Sequence, residues 1–138
     1  MVVCKSDLGR STLESANPIK GERENVSTRR LDSFNLEDVS FIKIDVEGYE
    51  EAVLNGAKDT IQKNRPSLLI EIEERHKLGA TTQIPLMLEN MRYSGWFLLE
   101  GQWHSFSKFE VSKHQRVNEL SYINNFVFLP LERKNPLI

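Results

Sequence analysis

Residues 41–73, FIKIDVEGYEEAVLNGAKDTIQKNRPSLLIEIE, contain two short apolar runs on either side of an amphipathic segment. The runs at 41–46 and 67–73 are rich in aliphatic residues, which is typical of strands buried in a parallel sheet. Two strands joined by a helix of this length predict a right-handed βαβ unit. Apolar side chains that recur every four residues predict the helix: Tyr49, Val53, Ala57 and Ile61.

Acidic residues fall at the carboxyl ends of both predicted strands. Asp45 and Glu47 close the first strand, and Glu71 and Glu73 close the second. The carboxyl ends of neighbouring parallel strands meet at one edge of the sheet, which is where open α/β sheets bind ligands. We therefore expect these carboxylates to lie close together at a binding site.

Carboxylates that are crowded together repel each other unless they are protonated, hydrated or neutralised by a cation. A divalent ion such as Mg²⁺, with Asp45, Glu71 and Glu73 as oxygen ligands, is one solution. The alternatives are that Lys43 or Arg75 pairs with the cluster, or that Glu73 simply points to water, and the sequence does not decide between them.

The rest of the chain predicts loop, helix and strand in turn. Residues 6–25 are polar and punctuated by glycine and proline, which indicates a loop. Residues 96–100 and 124–130 have the composition of strands, and the second is the last strand of the chain. A helix precedes them, marked by apolar residues at helical spacing: Ile84, Met87, Leu88 and Met91.

Length and composition predict a single domain over residues 1–138, with 39% hydrophobic and 28% charged residues. The net charge of −2 argues against a nucleic-acid-binding surface. No apolar run approaches the ~20 residues of a membrane helix, so we expect no membrane partner and a cytoplasmic location. Cys4 is the single cysteine, which excludes an internal disulfide.

Several spaced blocks resemble one family. FIKIDVEGYEEAVLNGA and RPSLLIEIE resemble the signature of the FkbM-type methyltransferases, a branch of the S-adenosylmethionine-dependent enzymes with a Rossmann-like sheet. VSTRRLDSF is similar to the segment before that signature, and SDLGRSTLE is similar to the loop beyond the family's third strand. The resemblance covers residues 6–73, and residues 74–138 correspond to a carboxyl-terminal helix and closing strands.

The resemblance implies an α/β fold with a mostly parallel sheet and an antiparallel last strand. The family's glycine-rich cofactor turn, of the Asp-x-Gly-Ala-x-x-Gly type, does not occur in this sequence, because its seven glycines are scattered. By this resemblance the chain is the carboxyl-terminal part of a methyltransferase domain that lacks the first strands. The strand at 41–46 then has a free apolar edge, which predicts a homo-oligomer or association through that edge.

The resemblance also implies roles for individual residues. Ser6 and Asp7 occupy positions near the adenine of S-adenosylmethionine, although Asp7 can instead stabilise its own turn. Asp45 lies where the family faces the transferred methyl group, although a carboxylate at a strand end can instead cap the next helix. Asp45 is therefore a candidate both for cofactor binding and for general base catalysis. Glu47 and His76 are further catalytic candidates, although Glu47 can instead interact with the helix dipole and a loop histidine is often just exposed.

Three functions remain open from the sequence. The first is an FkbM-type methyltransferase that methylates a hydroxyl of a sugar or a secondary metabolite, a small-molecule substrate. The second is an inactive methyltransferase fragment or interaction domain without its own cofactor site, which the missing glycine turn favours. The third is a carboxylate-rich, metal-dependent hydrolase, which accounts for the acids but for none of the family blocks.

Overall fold

The structure is a computed structural model, and it describes residues 2–3, 11–12, 22–23, 26–116 and 121–133. A small sheet is formed by β1 (Val2–Val3), β2 (Ser11–Thr12) and β3 (Glu22–Arg23), in the order β2-β1-β3. The main sheet contains β4 (Phe41–Ile44), β5 (Ser67–Glu71), β6 (Tyr93–Leu99), β7 (Gln102–Ser105) and β8 (Asn125–Pro130). Within the described ranges, the order of these strands is β4-β5-β8-β6-β7.

The predicted βαβ unit is present, because β4 and β5 are neighbours and run parallel, with Phe41 opposite Ser67 and Ile44 opposite Ile70. The prediction of a mostly parallel sheet is wrong. The β5–β8, β6–β8 and β6–β7 pairs are all antiparallel. The last strand, β8, lies between β5 and β6 and runs antiparallel to both, so the antiparallel last strand is confirmed. A strand's own residue pattern does not reveal which strands will flank it.

The helices are α1 (Glu50–Gly56), α2 (Lys58–Asn64), α3 (Ala80–Asn90) and α4 (Val111–His114), with 3₁₀ turns at Leu31–Phe34 and Phe106–Lys108. The single helix predicted between the strands is therefore two helices, with a break at Ala57, whose φ of −117° is not helical. Asp32 stabilises the start of α2, because its Oδ1 accepts hydrogen bonds from Thr60 N and Thr60 Oγ1, each at 2.9 Å.

The hydrophobic core lies on one face of the main sheet. Ile70 is opposite Phe126, and Phe126 is opposite Phe97, so these side chains share a face. Buried residues of α1, α2 and α3 join the same cluster, including Leu54, Ile61, Ile84 and Leu88. Burial of each such side chain contributes about 1.5–3 kcal/mol. This core fixes the positions of β4 and β5 and therefore of the residues at their carboxyl ends. Among the described residues, no helix is long and apolar enough to span a membrane.

Candidate functional site

The parallel pairing of β4 and β5 brings the predicted acidic residues together. Ile44 is opposite Ile70, so the next residues, Asp45 and Glu71, lie side by side at the carboxyl edge. The side chains of Asp45 and Glu73 lie close enough to Glu71 to perturb its pKa. The expected carboxylate cluster therefore consists of Asp45, Glu71 and Glu73.

Glu73 is the most buried member of the cluster, with a side chain that is 2% exposed. Arg75 pairs with it through two contacts, Nε to Oε2 at 2.6 Å and Nη2 to Oε1 at 2.9 Å. The hydroxyl of Tyr122 donates to Oε2 of the same carboxylate. Burial raises the pKa of Glu73, but the hydrogen bonds from Arg75, Tyr122 and Glu71 outweigh burial and lower this pKa to about 2. Glu73 is therefore a fixed anion at neutral pH.

Asp45 is the most accessible acid of the three. Lys43 Nζ lies 2.6 Å from Asp45 Oδ2, and the Asp45 side chain is 40% exposed. The hydrogen bond from Lys43 is the main reason why the pKa of Asp45 is lowered, and the hydrogen bond with Glu71 adds to this effect against the opposing effect of burial. Asp45 is thus an exposed anion that faces solvent at the end of β4.

Glu71 differs from both neighbours because its pKa is raised to about 7. Burial is the largest cause, followed by the hydrogen bond with Glu73 and the negative charge of Asp45. Asn124 Nδ2 donates to Glu71 Oε1 at 2.6 Å and orients the carboxyl group. A hydrogen bond between two carboxyl groups requires a proton on one of them, and Glu71 is the member that holds it. Glu71 can therefore take up or release a proton near neutral pH.

His76 lies beside the cluster, whereas Glu47 does not contact it. His76 Nε2 is 3.4 Å from Glu73 Oε1, and its side chain is 29% exposed. Glu47 lies in the turn between β4 and α1, with a φ of 48°, and the hydrogen bonds and ion pairs of the described residues do not connect it to the cluster. The next residue, Gly48, has a φ of 101°, and a Cβ added there would lie 3.2 Å from the carbonyl oxygen of His76. The loop after β5 thus packs directly on this turn.

Three polar residues of the site come from the carboxyl-terminal part of the chain and were not predicted as site residues. They are Tyr122, Asn124 and Gln115. The amide of Gln115 donates to the carbonyl oxygens of Ile72 and Ile123, at 2.6 and 3.0 Å, and so ties the end of β5 to the segment before β8. The only signal in the sequence was the polar pair Asn124–Asn125 at the start of an otherwise apolar strand.

The two cations proposed as an alternative to a metal are both in place, since Lys43 pairs with Asp45 and Arg75 pairs with Glu73. Within the ranges that the structure describes, no group of three or more His, Cys, Asp or Glu side chains is arranged to hold a metal ion. Ser6 and Asp7, the adenine-contact candidates, lie outside the described residues. Of the predicted cofactor-binding residues, the structure therefore places Asp45.

Comparison with protein families agrees with the resemblance drawn from the sequence. The family described as the methyltransferase FkbM domain matches residues 5–95, which is more than half of the chain. The match begins near the predicted signature region and extends beyond residue 73 through α3 into β6. Neither curated proteins nor solved structures give a significant match.

Proposed function

Because the chain belongs to the FkbM methyltransferase family, we propose that it transfers a methyl group from S-adenosylmethionine to a hydroxyl of a sugar or a secondary metabolite. The observation that carries this proposal is the Glu71 carboxyl group at the carboxyl edge of the sheet. The register of β4 and β5 places it beside Asp45, and Asn124 Nδ2 donates to it at 2.6 Å. Burial and the neighbouring acids Asp45 and Glu73 raise its pKa to about 7. A hydroxyl nucleophile needs a proton acceptor of this kind.

Glu71 is the proposed general base. A general base works best when its pKa lies near the working pH, and it accelerates a reaction by about 10²–10⁴-fold. The low pKa values of Asp45 and Glu73 make these two carboxylates weaker bases. This assignment replaces the expectation that Asp45 is the base.

Arg75, Tyr122 and Asn124 are proposed as positioning residues. Arg75 and Tyr122 hold Glu73 as an anion, and this negative charge contributes to the raised pKa of Glu71. Asn124 fixes the orientation of the Glu71 carboxyl group through its hydrogen bond of 2.6 Å. His76, at the exposed side of the cluster, is proposed to contact the methyl acceptor.

S-adenosylmethionine carries a positively charged sulfonium group, and when bound it supplies an activated methyl group. The described residues fit the cationic part of this cofactor, because Asp45 presents an exposed carboxylate at the carboxyl end of β4. Asp45 is therefore proposed to bind the charged end of the cofactor, and Ser6 and Asp7 are proposed to contact its adenine. In such a transfer, most of the rate acceleration comes from aligning the methyl donor with the hydroxyl.

A second candidate is supported by one observation on the sequence. The seven glycines are scattered, and no closely spaced set of them resembles the turn that cradles the cofactor in this family. On this alternative, the chain is an interaction domain that keeps the methyltransferase fold without a cofactor site of its own.

Calorimetric titration with S-adenosylmethionine, with and without Mg²⁺, distinguishes the two candidates. The methyltransferase proposal predicts saturable binding to one site, binding that is weaker in Asp45→Asn, and unchanged binding in the control Asp59→Asn. Asp59 is an exposed acid in the first turn of α2, away from the strand ends. Absence of heat at millimolar ligand, from a protein shown to be folded, would support the second candidate. A requirement for Mg²⁺ would assign a metal to the cluster.

A further inference from the structure

The side-chain amide of Gln115 joins three segments of the chain. Its Nε2 donates to Ile72 O at 2.6 Å and to Ile123 O at 3.0 Å, and its Oε1 accepts from Glu74 N at 3.0 Å. Both N–H donors of the amide and its oxygen therefore have backbone partners. A rotation that exchanged the nitrogen and the oxygen would place the oxygen against two carbonyl groups, so one orientation of this amide satisfies all three contacts.

The backbone partners of this amide lie next to the acidic cluster. Ile72 lies between the two glutamates of the cluster, and Ile123 lies between Tyr122 and Asn124. Tyr122 donates to one of these glutamates, and Asn124 donates to the other at 2.6 Å. Gln115 therefore connects the strand end that carries the acids with the segment that carries two of their hydrogen-bond donors.

The hydrogen bonds of Gln115 extend the connection between β5 and the segment before β8. The ladder between these two strands ends at Glu71, and Ile72 N then donates to Asn124 O at 2.8 Å. The carbonyl groups of Ile72 and Ile123 follow, and the Gln115 amide donates to both of them. The amide thus holds the two segments in register beyond the point where the ladder stops.

The packing of α4 fixes the position of Gln115 from the other side. His114, the residue before it, has a ring centroid 5.3 Å from that of Phe97 and 5.2 Å from that of Phe109. His114 O also accepts from Ile123 N at 2.8 Å. Aromatic contacts of this kind stabilise beyond the apolar area that they bury. Gln115 is therefore held by a packed element of the core.

We propose that Gln115 is a positioning residue for the proton acceptor of the proposed methyl transfer, because its amide holds the Asn124 side chain against the Glu71 carboxyl group. The proposal rests on the proposed function for the role of Glu71. The bond from Asn124 Nδ2 to Glu71 Oε1 is 2.6 Å long, and a displacement of about 1 Å would lengthen it beyond hydrogen-bond distance. Asp45 is held instead by β4 and by its ion pair with Lys43, so cofactor binding should not depend on Gln115.

Nitrogen-15 NMR of the Asn124 side-chain amide tests this role, with the resonance identified by its absence from Asn124→Ala. A hydrogen bond to a carboxyl group shifts amide protons downfield. We expect this downfield shift to be lost in Gln115→Met, which keeps a side chain of similar length but forms none of the three hydrogen bonds. The matched control is Asp32→Ala, which removes two hydrogen bonds at the start of α2 and should leave the Asn124 resonance in place.

Gln115→Asn covers the case in which Gln115→Met does not fold. Its amide is one carbon shorter and cannot reach all three partners, so the same loss is expected. Failure of both variants to fold would show that Gln115 is needed for folding, and it would overturn the positioning role.

Calorimetric titration with S-adenosylmethionine separates this proposal from the proposed function. We expect Gln115→Met to bind the cofactor with the wild-type dissociation constant. A joint loss of cofactor binding and of the Asn124 shift would show that Gln115 supports the whole site, and it would overturn the proposal. Wild-type binding with an unchanged Asn124 resonance in the folded variants overturns this proposal alone. Absence of binding by the wild-type protein overturns the proposed function on which it rests.

Discussion

Arg75 Nε lies 2.6 Å from Glu73 Oε2, and this contact neutralises a carboxylate whose side chain is 2% exposed. An anion at such a depth is stable only when it is paired and hydrogen-bonded. Arg75 itself is 58% exposed, so its guanidinium group remains largely hydrated while it satisfies Glu73. The pair therefore keeps Glu73 negatively charged, and this charge contributes to the raised pKa of the neighbouring Glu71.

Removal of Arg75 should destabilise the protein. Arg75→Ala leaves Glu73 without its cationic partner, and loss of charged hydrogen bonds of this kind lowers the free energy of unfolding by about 1–3 kcal/mol. The measurement is urea denaturation at pH 7. Arg29→Ala is the control, because Arg29 is exposed and lies over the Phe34 ring, where its loss should have a smaller effect. Equal effects of the two substitutions would contradict this account of Glu73.

The raised pKa of Glu71 predicts how stability depends on pH. The pKa of Glu71 is about 7 in the folded protein and 4.5 in its ordinary state. Its contribution to stability is therefore fully present below pH 4.5 and is lost as the pH rises through about 7. The pKa of Glu73 is lowered to about 2, so its contribution is present above pH 4.5 and is lost as the pH falls toward 2.

Glu71→Gln removes the pH-dependent contribution of Glu71 to stability and keeps that of Glu73. We expect the variant to lose less stability than wild type between pH 4.5 and 7, the window that the two pKa values of Glu71 define. Thermal unfolding monitored by circular dichroism across this range gives the comparison. Glu89→Gln, at an exposed position of α3, should follow the wild-type profile. An unchanged slope in Glu71→Gln would mean that Glu71 titrates normally.

The hydrogen bonds between Asp32 and Thr60 should stabilise the βαβ unit. Asp32→Ala removes the acceptor of two hydrogen bonds at the start of α2, each of 2.9 Å. Loss of a side chain that caps a helix lowers the free energy of unfolding by about 0.5–2 kcal/mol. Asp32→Asn keeps an acceptor oxygen and should lose much less. Chemical denaturation of both variants tests the prediction, and it is wrong if they are equally destabilised.

Gly95 should not tolerate a side chain, whereas Gly56 should. A Cβ at Gly95 would lie 2.7 Å from Phe128 Cε1 and 2.9 Å from Phe106 Cβ, inside the aromatic core. Gly95→Ala should therefore destabilise the protein by about 1–3 kcal/mol. A Cβ at Gly56 would meet Arg30 at an ordinary 3.6 Å, and Gly56→Ala in α1 should stabilise by up to about 1 kcal/mol. Gly95→Ala is expected to lower the melting temperature and Gly56→Ala to raise it. Shifts of the same sign in both variants would contradict the packing described.

The sequence predicted the features that depend on local pattern. The apolar runs of β4 and β5 gave the parallel pair, and the parallel pair gave the proximity of Asp45 and Glu71. The break at Ala57 was not predicted, because the residue that stabilises the start of α2 is Asp32, which comes before β4 in the chain.

Contacts between distant parts of the chain explain the remaining differences. The order of strands in the main sheet depends on where β8 inserts. The alternation of side chains between the two faces of β8 is the same whichever strands flank it. Tyr122 and Asn124 reach the cluster only because β8 pairs with β5, with Glu71 opposite Asn125. The raised pKa of Glu71 depends on burial and on its two acidic neighbours. Spacing in the sequence placed these acids together but did not distinguish which one holds the proton.

The assignment of Glu71 as the proton acceptor depends on its protonation near neutral pH, and carbon-13 NMR of labelled glutamate side chains measures this protonation directly. The carboxyl resonance that disappears in Glu71→Gln identifies this residue. We expect a titration midpoint near pH 7, well above the ordinary value of 4.5. A midpoint close to 4.5 would show that Glu71 is a permanent anion at neutral pH, and it would contradict the assignment of Glu71 as the proton acceptor.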